Sequence, residues 1–175
     1  YWKLYRDEKI TKEELRLGRL KDTFVKIKQQ ADLQLLERLA VDYIKVLTNN
    51  NQLFVGAHEI LEHLYVNYKL HIITNGFNEV QYEKIKNSGL TKYFDKIITS
   101  EAAGVKKPNP IIFEYALEMT KATSTESMMI GDNWEADIMG AKDAGLDVIF
   151  CNYNAQPVSE NIKSVSNLID IKRYL

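Results

Sequence analysis

The sequence predicts an α/β fold, a parallel sheet flanked by helices and preceded by an all-helical stretch. Three observations predict it. From about residue 51 onward, short apolar runs alternate with amphipathic stretches, as repeated βα units around a parallel sheet do. Before residue 51, apolar residues recur only at helical spacing. The three prolines stand at 108, 110 and 157, so nothing breaks regular structure in the first hundred residues.

The chain opens with Tyr-Trp-Lys-Leu-Tyr, inside a helical pattern and without an initiating Met, which predicts that residues 1–175 belong to a longer protein. Thr11 followed by Glu14 is a capping-box signature, and Leu15, Leu20, Phe24 and Ile27 continue it as a helix as far as Lys28. A second stripe (Leu33, Leu36, Leu39, Ala40, Tyr43, Ile44 and Leu47) ends at three successive asparagines, 49–51. There the pattern changes and a domain boundary is predicted. A helix over 57–68, a strand over 70–74, a helix over 79–87 and a strand over 96–99 follow. After a loop with Gly104 and two prolines come a helix over 110–120, a strand over 128–131, a helix over 135–144 stopped by Gly145, and a strand over 147–151. A short helix over 168–175 completes the series.

With 175 residues, 45% hydrophobic and 27% charged, the chain can bury one core and at most a small second unit. A net charge of −1, from 23 basic and 24 acidic residues, offers no bias toward nucleic acid or an acidic membrane surface, so neither is an expected partner. No apolar run approaches the ~20 residues that cross a bilayer. The lone cysteine, Cys151, excludes an internal disulfide framework and fits a reducing compartment, so the cytoplasm is the expected location.

Three polar clusters fall at predicted strand ends, where such a sheet places its ligands. The first, His71-Ile-Ile-Thr74-Asn75-Gly76, ends an apolar strand with a hydroxyl, an amide and a glycine, groups suited to hydrogen-bonding a phosphate. A simple turn after the strand would use the same Asn and Gly. The second, Gly104-Val105-Lys106-Lys107-Pro108-Asn109-Pro110, holds a cation in a rigid turn before a helix. Paired lysines are commonly solvated, but Lys107, locked against the proline, is the better candidate to neutralise a phosphate. The third, Gly131-Asp132-Asn133-Trp134-Glu135-Ala136-Asp137, offers two carboxylates near one strand end, a donor set that suits magnesium. Asp137 could alternatively serve only to cap the next helix.

Taken in order, Thr74-Asn75, Lys107, and Asp132 with Asp137 resemble the second, third and fourth motifs of the haloacid dehalogenase superfamily, over the whole chain. The likeness is to its phosphatase branch with a helical cap, and the stretch 2–24 is similar to the cap of 5′-nucleotidases and phosphoglycolate-type phosphatases. The resemblance implies a Rossmann-like core over 51–175 lacking its first strand, and a helical cap over 1–50 that is incomplete at its N-terminus. It implies hydrolysis of a small phosphorylated metabolite, foremost a nucleoside monophosphate, through an aspartyl-phosphate with Mg2+ as cofactor. Thr74 and Lys107 then act catalytically on the phosphoryl group, Thr74, Asn75, Gly76 and Lys107 bind substrate, and Asp132 and Asp137 bind the metal.

One motif of the family is not matched. No Asp-x-Asp stands at the end of a strand before Thr74, and Asp7 and Asp22 lie in helical patterns. Phosphomonoester hydrolysis needs up to ~10²¹ acceleration, of which positioning supplies roughly 7–11 kcal/mol, so a nucleophile is also required. The nucleophile is therefore expected upstream of Tyr1, on a strand whose removal leaves two half-sheets, and residues 1–175 alone are expected to be inactive. The competing expectations are a 2-haloacid dehalogenase of the same fold, which needs no metal and which the Gly131-Asp132 pair argues against, a phosphate-binding module without activity, and a flavodoxin-like domain. His58, His63 and His71 share no ligand spacing and Cys151 reads as a core residue. Arg19, Trp2 and Phe24 read first as a charged face and core anchors.

Overall fold

The computed structural model describes residues 1–159 and 161–175. It divides into two compact units, Tyr1–Asn51 and Gln52–Leu175.

The first unit is helical: α1 (Trp2–Arg6), α2 (Lys12–Lys26) and α3 (Leu33–Asn49). The capping box at the start of α2 is closed in both directions. Glu14 N–H donates to Thr11 Oγ1 at 3.1 Å, and Thr11 N–H donates to Glu14 Oε2 at 2.7 Å. Asp32 caps α3 through Leu35 N–H at 2.8 Å. Leu15 and Leu36 are the buried anchors of α2 and α3. Arg19 ties the three helices together: its guanidinium lies 5.8 Å from the Trp2 ring and 5.5 Å from the Tyr43 ring, and its Nε donates to Leu15 O.

The second unit alternates strands and helices. In chain order it contains α4 (Ala57–Tyr65), β1 (Leu70–Thr74), α5 (Asn78–Asn87), β2 (Phe94–Thr99), α6 (Ser100–Ala103), α7 (Pro110–Thr120) and β3 (Met128–Gly131). A π-helical turn (Trp134–Met139), α8 (Gly140–Asp143), β4 (Asp147–Cys151), β5 (Lys163–Val165) and a 3-10 turn (Leu168–Arg173) complete it. All strand pairings are parallel. Thr74 aligns with Thr99 at the end of the β1–β2 pair, and Gly131 aligns with Phe150 in the β3–β4 pair. Among the described residues the strands form two sheets, β1–β2 and β3–β4–β5, with no ladder joining β1 to β3.

β4 is buried on both faces, and its alternation builds two cores. Val148 and Phe150 join Ile98, Ile112, Phe113 and Ile138 on one side. Ile149 and Cys151 join Ile60, Leu64, Val165 and Ile171 on the other. β1 and β3, although equally apolar, are only half-buried along their whole length.

The strands at 70–74, 128–131 and 147–151 and the helix at 110–120 form as the sequence predicts. The helix expected over 57–68 ends at Tyr65, because Asn67 and Tyr68 N–H both turn back to Leu64 O. Residues 100–103, expected in a loop, form the short α6, capped by Thr99. The helix expected over 135–144 begins as the π-helical turn, in which Ile138 N–H reaches Asn133 O. β5 is an addition: three residues are too few for periodicity to register.

Candidate functional site

Asn75 and Gly76 directly follow β1 and Asp132 directly follows β3, while Lys107 stands in the turn between α6 and α7 and Asp137 in the π-helical turn. Thr74 closes β1, and its Oγ1 accepts the Gly76 N–H at 3.0 Å, leaving the hydroxyl hydrogen to donate. Neither Asn75 nor Gly76 adopts a left-handed φ, so the turn does not depend on one. Asn75 faces Lys107 across 32 positions of sequence. Asn75 Nδ2 donates to Lys107 O at 2.9 Å, and Lys107 N–H donates to Asn75 Oδ1 at 2.7 Å.

Lys107 is buried, at 7% exposure, where most lysines lie at the surface. Its ammonium donates to Ile73 O at 2.7 Å and to Asp137 Oδ1 at 2.6 Å. An ammonium has three hydrogens, so one is left for a further acceptor. Lys106, beside it, is partly exposed. The Lys107–Pro108 peptide is cis.

Asp137 is buried at 6% exposure, and both its oxygens are engaged, Oδ1 by Lys107 and Oδ2 by the Asn133 N–H at 3.0 Å. Asn133 caps the same turn, its Oδ1 accepting the Ala136 N–H at 2.8 Å. Asp132 differs: it is exposed and has no partner among the described residues.

Two glycines make this packing possible. A Cβ on Gly131 would stand 2.5 Å from the Asp137 carboxylate, so only glycine lets that side chain fold back over the end of β3. A Cβ on Gly140 would stand 2.8 Å from the Pro108 Cα, so α8 approaches the Lys107–Pro108 turn at backbone distance.

Asp132 offers a free, exposed carboxylate, while Asp137 is partly neutralised by Lys107. No group of three His, Cys, Asp or Glu side chains that could hold a metal alone exists among the described residues. One or two carboxylates completed by waters and a substrate phosphate is the coordination that magnesium accepts, so the residues fit it.

Lys107, Asp137, Asn75 and the end of β1 are thus joined by direct hydrogen bonds, and Thr74 is the next residue along β1. Asp132 stands without a hydrogen bond to any of them. Three contributors were not singled out from sequence: the Ile73 carbonyl, Asn133 and Gly140. An N-cap signature before the apolar stretch could have found Asn133. Nothing local marks the other two, since their partners lie more than thirty residues away in sequence.

Other polar groups serve packing. Trp134 meets Phe150 edge-on at 5.3 Å. His71 Nδ1 is buried without a partner, and burial pulls its pKa below the ordinary value, against the opposing pull of Asp95. Burial likewise pushes the Cys151 thiol up, away from reactivity. A cavity of about 660 Å³ lies at the opposite, N-terminal ends of β1 and β2, lined by Tyr65, Tyr68, Lys69, Lys92, Tyr93 and Asp95 among others, away from these residues. No helix among the described residues is long and apolar enough to cross a membrane.

Residues 5–151 match the family model described as haloacid dehalogenase-like hydrolase. The chain is 31% identical over 173 residues to YfnB of Bacillus subtilis strain 168, covering 98% of this chain and 71% of that protein. It is 32% identical over 178 residues to the pyrimidine 5′-nucleotidase YjjG of Escherichia coli K12, covering 99% of this chain and 77% of that protein. The crystal structure of YfnB bound to magnesium superposes with a TM-score of 0.87 at 28% identity, over 99% of this chain and 77% of that one. A 2-haloacid dehalogenase from Pseudomonas syringae pv. tomato DC3000 superposes less closely, with a TM-score of 0.67 at 26% identity, over 82% of this chain and 63% of that one.

Proposed function

Because the chain belongs to the haloacid dehalogenase-like hydrolase family, we propose that it hydrolyses a small phosphomonoester, a nucleoside 5′-monophosphate in the first instance. One observation carries the reading: the buried Lys107 ammonium joins the end of β1 to the acidic turn after β3 and keeps one hydrogen unspent. The choice of a nucleotide leans on the relative named a pyrimidine 5′-nucleotidase.

In this reading Thr74 donates its hydroxyl hydrogen to one phosphoryl oxygen and Lys107 its remaining N–H to another, offsetting the charge that grows there in the transition state. Asp132 would hold magnesium directly, with Asp137 behind it. Bound there, magnesium supplies charge neutralisation at the phosphoryl oxygens. Asn133 N–H and Lys107 hold the Asp137 carboxylate in a fixed rotamer.

We place the attacking carboxylate upstream of Tyr1, on a strand entering between β1 and β3. The separate β1–β2 and β3–β4–β5 sheets, with half-buried apolar strands at the break, support this. A carboxylate oxygen bonds to phosphorus as the ester P–O bond breaks, and the leaving alkoxide takes a proton from a second carboxyl group of the same upstream segment, which recovers a proton from the water of the next step. Water then cleaves the acyl phosphate and releases inorganic phosphate. The helical unit would serve as the cap that shapes substrate choice.

The dehalogenase reading requires no metal, and the exposed, unpartnered Asp132 disfavours it. The test is phosphate release from uridine 5′-monophosphate by the protein extended upstream with its natural sequence, with magnesium and after chelation. Activity should depend on the metal, and Lys107→Ala or Asp132→Asn should lower kcat by about 10²–10³-fold. Halide release from 2-chloropropionate, with no phosphate release from any phosphomonoester, would overturn the proposal.

A further inference from the structure

We propose that Asn75 is a positioning residue, holding Lys107 in place rather than touching the phosphate itself. The amide of Asn75 pairs with the Lys107 backbone in both directions, at 2.9 Å and 2.7 Å, as a neighbouring strand would. Turning the amide over would set nitrogen against N–H and oxygen against carbonyl, so this pairing fixes its orientation.

Lys107 needs such a partner. It is buried, it lies between partly buried neighbours, and Pro108 has no N–H to contribute to the turn. Its backbone N–H and C=O therefore have to find hydrogen bonds inside the protein, and one side chain supplies both. Lys107 is attached to the end of β1 twice, by its backbone to Asn75 and by Nζ to Ile73 O. Two fixed points leave the four-carbon stem little freedom, and the unspent ammonium hydrogen keeps one direction. Asn75 thus orders a lysine whose free side chain would otherwise sample many rotamers. The catalytic consequence rests on the phosphatase reading, but the clamp itself does not.

The experiment pairs a measurement that needs activity with one that does not. In the upstream-extended protein, Asn75→Ala should lower kcat/KM at least about tenfold, and the same change in a Lys107→Ala background should add less than about threefold, because the residue it positions is gone. Independently of turnover, Asn75→Ala should speed hydrogen exchange of the Lys107 amide at least about tenfold. Asn75→Asp, which keeps the acceptor for Lys107 N–H and loses the donor, should fall between wild type and Ala in both readouts.

Unchanged exchange at Lys107 would overturn the proposal. So would losses that multiply fully in the double variant, the result expected of an independent phosphate contact. If Lys107→Ala abolishes turnover, the cycle is completed on affinity for inorganic phosphate, with the same expectation. Faster Lys107 exchange in a protein that hydrolyses no phosphomonoester would uphold the clamp and remove the phosphatase reading instead.

Discussion

Asp132 and Asp137 stand five positions apart and look alike in sequence, yet their surroundings separate them. Asp137 is buried against Lys107 at 2.6 Å, while Asp132 is exposed and unpartnered. Removing one partner of a buried ion pair strands the other charge and costs about 3–5 kcal/mol. In a chain of this size that corresponds to a fall of roughly 6–20 °C in unfolding midpoint for Lys107→Ala. Asp132→Asn should leave the midpoint within about 2 °C, since exposed substitutions stay within about ±0.5 kcal/mol. Thermal melts of the two variants check this, and equal shifts would contradict the burial difference. The two aspartates would then differ in kind: one supports the fold at the site, and the other is free to meet a ligand.

At the scale of elements, the site depends on how closely α8 meets the turn before α7. Gly140 is the contact, with the Pro108 Cα only 2.8 Å from where a Cβ would stand. Backbone cannot yield as a flexible side chain can, so Gly140→Ala should push the Lys107 turn away from β1 and cost roughly 1–3 kcal/mol as overpacking. Activity should fall with it, whereas Ala141→Gly, in the buried core next door, should cost about 1 kcal/mol as a helical glycine and leave the turn and the activity in place. Denaturant unfolding together with phosphate release from both variants measures the contrast. The π-helical turn ahead of α8 works in the same direction. It places Asp137 where Lys107 and the Asn133 N–H can each take one oxygen.

Over the second unit as a whole, the described strands lie in two separate sheets, and β1 and β3 are half-buried along their length. Apolar strand edges without a partner exchange readily and invite pairing, whereas β4, covered on both faces, should be the most protected segment. In residues 1–175 alone, amides of β1 and β3 should exchange much faster than those of β4. Adding the natural upstream sequence should bring slow exchange to β1 and β3 and leave β4 as it was. No gain of protection at either strand would remove the inserted strand, and with it the proposed home of the nucleophile.

Elements with strong local signals were legible from residues alone. The strand Met128–Gly131 and the helix Pro110–Thr120 are marked by apolar runs and by proline at the helix start. The Thr11–Glu14 box joins residues three positions apart, so sequence contains all of it. β5, with three residues, and the π-helical turn, too short for its wider spacing to register, carry no comparable mark. At the candidate site, strand-end position and residue type single out Thr74, Lys107, Asp132 and Asp137 as candidates. Which carboxylate is buried, why the Asn75 amide faces Lys107, and why position 140 is glycine depend on partners at the ends of other strands and helices. Periodicity, caps and turns act within a few residues along the chain. Burial and pairing are set by the folded arrangement, where residues 30 or 32 positions apart meet at hydrogen-bond distance.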